Sequence, residues 1–467
     1  MNSSKFKLRT LIFILTLSLA FFPSHLFSID SLSYKIGQMV IEGYFPNTDM
    51  EDTILYDIEH RNLGGVILLE YNCWDRNILE TNNANLQSKA DTPLFICIDQ
   101  EGGWVARLND NNGFDASYDA HYLGSLNSET TTRNQAAKMG GWLSDMGINV
   151  NFAPVADLNI NPDSPAIGRY NRSFSANPHT VTDHCYWYYD EFKKKELVAT
   201  LKHFPGHGSA IEDTHNWFAD ITDTWSKQEL IPYKALIDSG FSDIVMTGHL
   251  YNSTIDSNNI ATFSYPTLTG ILRDSLGFNG IIITDDMLMN GVIAYDLGFN
   301  ESVIRAIEAG VDMLLYNRWY WDGSSYRSPL NLIVEAVQSA IDTGRITESR
   351  IDESYDRIME MKAVNNTAVR PIIADEFNLK AYPNPFNPVT KISFHIEDEI
   401  YETAQLNIFS IDGRLIQRYF IQLNGAGTYD VTWNAKDLCG KYVPSGTYIY
   451  GLKINNELHT GKMTLLK

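Results

Sequence analysis

From about residue 36 to residue 316 the chain alternates short, continuous apolar runs with longer stretches of helical composition. The runs are "GQMVIEGY", "GGVILLEY", "LFICIDQ", "INVNFAPV", "LVATLKHF", "DIVMTGH", "GIIITDD" and "GVDMLLY". Between them lie segments such as "TRNQAAKMGGWLSDMG", "TVTDHCYWYYDEFKKKE" and "ESVIRAIEAG". A strand covered on both faces reads as an unbroken apolar run, and alternation with helices implies parallel βα units. The eight runs suffice to close a (β/α)8 TIM-type barrel. A doubly wound open sheet is the alternative that the same pattern allows.

The period then changes. "DESYDRIMEMKAVNN" (352–366) reads as a closing helix, and "TAVRPIIADEFNLKAYPNPFNP" has the proline and turn content of a linker. Beyond it, "TKISFHI", "AQLNIFSI", "GRLIQRYFIQL", "GTYDVTWNA", "GTYIYGLKI" and "TGKMTLLK" alternate with period two and are separated by turn signals. That pattern predicts a small all-β, immunoglobulin-like sandwich. The expected division is a catalytic barrel over 29–368, a linker over 369–381 and the sandwich over 382–467.

The first residues differ from all that follows. Lys5, Lys7 and Arg9 precede the apolar run "TLIFILTLSLAFF", and "PSHLFS" supplies small residues after it. This is the layout of a secretory signal peptide over 1–28, cleaved near Ser28, with a run too short to favour a spanning helix. An uncleaved membrane anchor is the alternative. The expected mature chain has no stable membrane span.

Composition narrows the field of partners. A formal net charge of −21 over 467 residues argues against a nucleic-acid partner, since phosphate binding wants a basic stripe. The four cysteines, Cys73, Cys97, Cys185 and Cys439, show no short metal-type spacing, and no disulfide pairing follows from them. Cys97, inside "LFICID", reads as a small buried hydrophobe.

Polar residues gather where the apolar runs end. Asp99 ends the third run, Asp157 and Arg172 follow the fourth, Lys202 and His203 end the fifth, His249 the sixth and Asp285 the seventh. In a parallel barrel those ends open on one face, which carries the chemistry. The stretch "LKHFPGHGSAIEDTHN" (201–216) is the densest. His203, His207 and His215 with Asp213 could ligate a metal, but neither an HxH pair at the first run nor HExxH is present. An acid–base reading needs one group to protonate a departing oxygen and a carboxylate to attack or stabilise the anomeric carbon. Asp285 suits the second task. His215 suits the first, with Asp213 to orient and charge-stabilise its imidazole. Taken alone, Asp-Thr-His could equally cap a helix in a polar loop.

"IDQEGGWVARL", "NFAPVADLN", "RSFSANPHTV", "LKHFPGHG" with "DTH", "VMTGH", "ITDDMLMNG" and "AIEAGVDMLL" together resemble glycoside hydrolase family 3, and more closely its β-N-acetylhexosaminidase branch. The resemblance runs from about residue 33 to 365. It implies a (β/α)8 barrel and a retaining, two-step mechanism through a covalent glycosyl-enzyme, with no cofactor and no metal. By motif it makes Asp285 the nucleophile, His215 the general acid and base and Asp213 its partner. It places Asp99, Arg107, Arg172, Lys202 and His203 around the sugar. The chain departs from the usual pattern at Trp104, where arginine is common, at Ser209 and Ala210, and in a longer "IGRYNRSF" where Arg169 competes with Arg172.

The tail resembles C-terminal sorting domains of the type IX secretion system, on "YPNPFNP" and the closing "GKMTLLK". The alternative is a plain accessory sandwich or carbohydrate-binding module. Together these readings imply a secreted or surface glycosidase that releases terminal β-linked N-acetylglucosamine, with the export machinery as partner of the tail. A β-glucosidase and a catalytically inactive carbohydrate-binding protein are the alternatives.

Overall fold

The computed structural model describes residues 31–46, 48–214, 219–321, 326–364, 379–396, 403–410, 415–423, 425–438, 440–454 and 457–466. The expected signal peptide, His215, Cys439 and most of the expected linker lie outside the described residues.

All eight apolar runs contain parallel strands of one sheet: β1 (Val40–Gly43), β2 (Gly65–Leu68), β3 (Phe95–Ile98), β4 (Val150–Asn151), β5 (Val198–Phe204), β6 (Ile244–Thr247), β7 (Ile281–Thr284) and β8 (Leu314–Tyr316). Neighbours pair in chain order, and β1 returns to β8 through Val40 opposite Leu314. A parallel bridge between Ile283 and Met313 completes the circle, with Thr284 N donating to Met313 O at 3.1 Å. The open-sheet alternative is therefore set aside. The strands read as unbroken apolar runs because both faces are covered, with side chains filling the barrel inside and helices packed outside.

Helix starts follow local chemistry. Asp75 caps Arg76–Lys89, Ser128 caps Glu129–Asp145, and Asn177 caps Pro178–Lys193 with proline in its first turn. The closing helix runs Glu348–Val364. At its base Arg357 and Ser354 both reach the buried Asp312, and Lys362 donates to Gln38 Oε1 and Gly64 O, each at 2.7 Å. Burial pulls the Lys362 ammonium down to about 7.

The tail is a sandwich of two antiparallel sheets. β9 (Lys380–Tyr382), β10 (Thr390–Ile396) and β13 (Gly427–Trp433) form one. β11 (Thr403–Ser410), β12 (Leu415–Gln422), β14 (Gly446–Ile454) and β15 (Glu457–Leu465) form the other. Trp433, Phe394, Leu406, Ile408 and Met463 fill the space between them. β9 takes in the last two residues of the expected linker, because Lys380 and Ala381 pair with Ser393 and Ile392. Cys73, Cys97 and Cys185 are buried free thiols, as the reading of Cys97 anticipates.

One buried acid makes the fold sensitive to pH. Glu42, on β1, is fully buried beside Asp57, and its Oε1 accepts from Leu330 N at 2.7 Å and Ser328 Oγ at 3.3 Å. Burial, then the neighbouring Asp57, lifts its carboxyl from 4.5 to about 8. A folded-state pKa above the unfolded value gives stability that is complete below about 4.5 and lost as pH rises through about 8. The Tm of Glu42→Gln should therefore gain on that of wild type as pH is raised across this window. A Tm difference that stays constant with pH would contradict the assignment.

Candidate active site

The carboxyl ends of β3, β4 and β5 converge on a cluster of charges. β5 is the longest barrel strand, and its pairing with β6 slips between Leu201 and Phe204. Lys202 and His203 sit in that slip, both buried, with a cis peptide bond between them. Lys202 Nζ lies 2.6 Å from Asp99 Oδ1 and 2.7 Å from Glu101 Oε1. Arg172 grips Glu101 with two bonds, Nε to Oε2 at 2.9 Å and Nη2 to Oε1 at 2.8 Å. Its Nη1 donates to Ala166 O at 2.8 Å. Arg107 stands further out, with Nη2 3.7 Å from Asp99 Oδ2.

The charges fix one another's protonation. Burial works to raise the Glu101 carboxyl, but Arg172 and Lys202 override it and hold it well below the usual range. Burial likewise works against the Lys202 ammonium, and Asp99 and Glu101 more than reverse it. Glu101, Lys202 and Arg172 thus remain ionised although buried, because each offsets the desolvation of the others.

Asp157 follows β4 and anchors the start of the 201–216 stretch. Its Oδ2 is 2.7 Å from His203 Nδ1, and its Oδ1 accepts from His203 N at 3.0 Å and His207 N at 2.8 Å. With Nδ1 donating to Asp157, His203 Nε2 is left as an acceptor, and Arg172 Nη2 lies 3.4 Å from it. Burial raises and the His203 contacts lower the Asp157 carboxyl, with a net lowering.

Two glycines let the loop lie where it does. At Gly208 a Cβ would stand 1.6 Å from Leu158 O, which only glycine tolerates. Gly206 has φ +127°, and a Cβ there would meet Glu229 Oε2 at 2.5 Å. Glu229 is buried beneath this turn, and burial lifts its carboxyl to about 8. Further along, His207 Nε2 is 3.2 Å from Thr214 Oγ1, and burial followed by the nearby His203 brings the His207 imidazole down to about 4. A neutral His207 serves as a strut.

The far end of the loop meets the end of β7. Gly291 N donates to Thr214 O at 2.9 Å, so the half-buried Asp213 and the buried Thr214 are held against the segment that follows Asp285 and Asp286. Those two carboxylates have different surroundings. Asp286 is buried, its Oδ1 accepts from Leu288 N at 3.1 Å and Asn317 N at 3.2 Å, and burial lifts it to about 6. Asp285 is half-buried, with Oδ1 accepting from Asp286 N at 2.8 Å. It is the more exposed of the two.

Of the residues singled out in the sequence, Asp99, Arg107, Arg172, Lys202 and His203 form one network, and Asp213 and Asp285 belong to a second group. His215 lies outside the described residues, immediately after Thr214. His249 is a structural link, with Nδ1 2.8 Å from Thr262 Oγ1 and Nε2 3.1 Å from Asp286 O. Glu101 is a partner that the sequence reading did not name, although it lies inside "IDQEGG", and Asp157 was named among the strand-end residues without a role. The position of both was visible, but the side chains they face were not. Among the described residues no cluster of three or more metal-ligating side chains occurs.

Residues 31–361 match the glycosyl hydrolase family 3 N terminal domain. The chain belongs to this family. Residues 380–465 match a secretion system C-terminal sorting domain. The chain is 30% identical over 334 residues to Beta-hexosaminidase A of Pseudoalteromonas piscicida, covering 65% of this chain and 54% of that protein. It is 36% identical over 291 residues to Beta-hexosaminidase of Tolumonas auensis, covering 60% of this chain and 82% of that one. The solved family 3 β-N-acetylglucosaminidase from Paenibacillus sp. str. FPU-7 superposes with TM-score 0.65 at 32% identity, covering 72% of this chain and 62% of that one. β-N-acetylhexosaminidase from Beutenbergia cavernae gives TM-score 0.64 at 27% identity, covering 71% of this chain and 98% of that one.

Ala210 packs with Ala219, Ile221 and Leu250 in a small apolar cluster beside the loop. In the turn before "RSF" Arg169 is exposed, and Arg172 points inward to Glu101. Removing one partner of a buried, hydrogen-bonded ion pair costs about 3–5 kcal/mol. Arg172→Ala should therefore lower the thermal midpoint of the barrel by several degrees, while Arg169→Ala leaves it where it is. Equal shifts in the two variants would mean that the Glu101 pairing contributes little.

Proposed function

We propose that this chain is an exported, retaining exo-glycosidase that releases terminal β-linked N-acetylglucosamine from chitin or peptidoglycan fragments. The observation that carries the proposal is the Gly291 N to Thr214 O hydrogen bond of 2.9 Å. It seats the residue before His215 against the segment that follows Asp285, which supports an acid and a nucleophile on one cleft. The similarity to β-hexosaminidases and a β-N-acetylglucosaminidase favours the N-acetylated sugar.

In this reading Asp285 attacks the anomeric carbon while His215 delivers its proton to the departing oxygen, so the C1–O bond breaks with no charge left on the leaving group. Asp213 steadies the imidazolium. His215, now neutral, takes a proton from water, whose oxygen displaces Asp285 from C1 with net retention. Lys202, Asp99, Arg172, Arg107 and His203 hold the sugar through hydroxyl and amide contacts. The polarised surroundings of Asp99 and Lys202 equip them as acceptor and donor. No cofactor enters the scheme. The sorting-domain tail supports passage through the export machinery to the surface or beyond, and among the described residues no helix is long and apolar enough to cross a membrane.

The purified full-length mature chain should hydrolyse 4-nitrophenyl N-acetyl-β-glucosaminide in strong preference to the β-glucoside. Asp285→Ala should abolish the activity, and His215→Ala should lower kcat on unactivated glycosides by about 10²- to 10⁴-fold, the usual contribution of general acid–base catalysis. A preference for glucoside that survives His215→Ala would place the chain with the β-glucosidases. Binding of N-acetylglucosamine without turnover would point to a carbohydrate-binding protein.

A further inference from the structure

The rim beside the charged cluster carries aromatic side chains that the proposed chemistry does not use. Trp104 is 74% exposed although tryptophan is among the most costly side chains to leave in water. It belongs to a short hairpin, Gln100–Gly102 paired with Val105–Ala106, three residues beyond Glu101. Tyr170 lies two residues before Arg172, and its ring stacks on Trp104 with centroids 5.3 Å apart and planes 25° apart. The two aromatics are thus carried by the two ends of the Glu101–Arg172 ion pair, which fixes them next to the site.

The patch extends sideways. Tyr118 and Tyr122, 53% and 44% exposed, pack together with centroids 4.8 Å apart. Their segment is pressed onto the same hairpin: a Cβ on Gly102 would lie 2.4 Å from Tyr118 O, and one on Gly103 would lie 2.4 Å from Asp119 Cβ. Asp119 also accepts from Asn171 Nδ2 at 3.4 Å, beside Tyr170. Scattered exposed aromatics need no explanation, but a joined group held by glycine close approach beside a polar cleft marks a binding surface.

We propose that the stacked Trp104–Tyr170 pair is the aglycone subsite, taking the apolar face of the hexosamine unit next to the one that is cleaved. This rests on the glycosidase reading above. Tyr170 covers one face of the indole and the exposure of Trp104 leaves the other open. A β-linked pyranose with equatorial substituents turns its axial C–H bonds, which are slightly positive, toward such a face, and the π face is slightly negative. A sugar held by Asp99, Lys202 and Arg172 would project the rest of its chain across this rim.

The test compares kcat/KM of full-length wild type, Trp104→Ala, Trp104→Phe and Tyr170→Ala on N,N′-diacetylchitobiose and on methyl N-acetyl-β-glucosaminide, whose aglycone cannot stack. The chitobiose-to-methyl ratio should fall about tenfold in Trp104→Ala, recover in part in Trp104→Phe, and fall less in Tyr170→Ala. Tyr382→Ala, an exposed aromatic in the tail, should leave the ratio unmoved. A ratio unchanged in Trp104→Ala, with wild type active on both substrates, overturns the subsite and leaves the glycosidase reading standing. A wild type inactive on both substrates overturns that reading and the subsite with it.

Discussion

The arrangement at the mouth of the barrel depends on one set of mutually neutralised charges: Lys202 and Arg172 facing Asp99 and Glu101 at distances between 2.6 and 2.9 Å. Any one of them buried alone would cost several kcal/mol of lost hydration. Together they compensate one another, and they tie the ends of β3 and β5 to the turn that follows β4. The cluster is poorly suited to adding stability for its own sake, because apolar side chains could fill the same volume more cheaply. It is well suited to presenting fixed donors and acceptors to a polar ligand, whose hydroxyls can replace water without rearrangement of the protein.

The loop that leaves β5 depends on that cluster at one end and on β7 at the other. Asp157 holds its start through three hydrogen bonds, and Gly291 holds Thr214 at its end. Between them, Gly208 allows the backbone to come against Leu158 O, and the buried Glu229 supports the turn at Gly206. Loops that carry chemistry need a rigid frame, and here the frame consists of backbone N–H groups and a neutral His207 strut. The aromatic rim shares this foundation, because Trp104 and Tyr170 extend from Glu101 and Arg172.

Much of this was legible in the sequence. The barrel strands could be read because a strand covered on both sides must be apolar throughout, and "GIIITDD" or "DIVMTGH" admits little else. The sandwich could be read from its period of two. The gathering of Asp99, Lys202, His203 and Asp285 at strand ends was visible because parallel strands share one open face. The resemblance in "KHFPGHG" and "DTH" then grouped the residues by role, which spacing alone had left open between a metal site, an acid–base pair and a capped loop.

What the sequence determined by itself was the set of elements and the face on which the polar residues lie, since hydrophobic periodicity is local and survives without a fold. Only the tertiary structure decided closure of the sheet through Ile283 and Met313, the pairing of Glu101 with Arg172 while Arg169 stays exposed, and the contacts of Asp157 with His203 and His207. It also gave Asp285 and Asp286, adjacent residues of the same type, different surroundings, the second buried and the first half-buried. Pairings of this kind join residues as far apart as Lys202 and Asp99. They depend on distances of a few tenths of an ångström, which no pattern along the chain encodes.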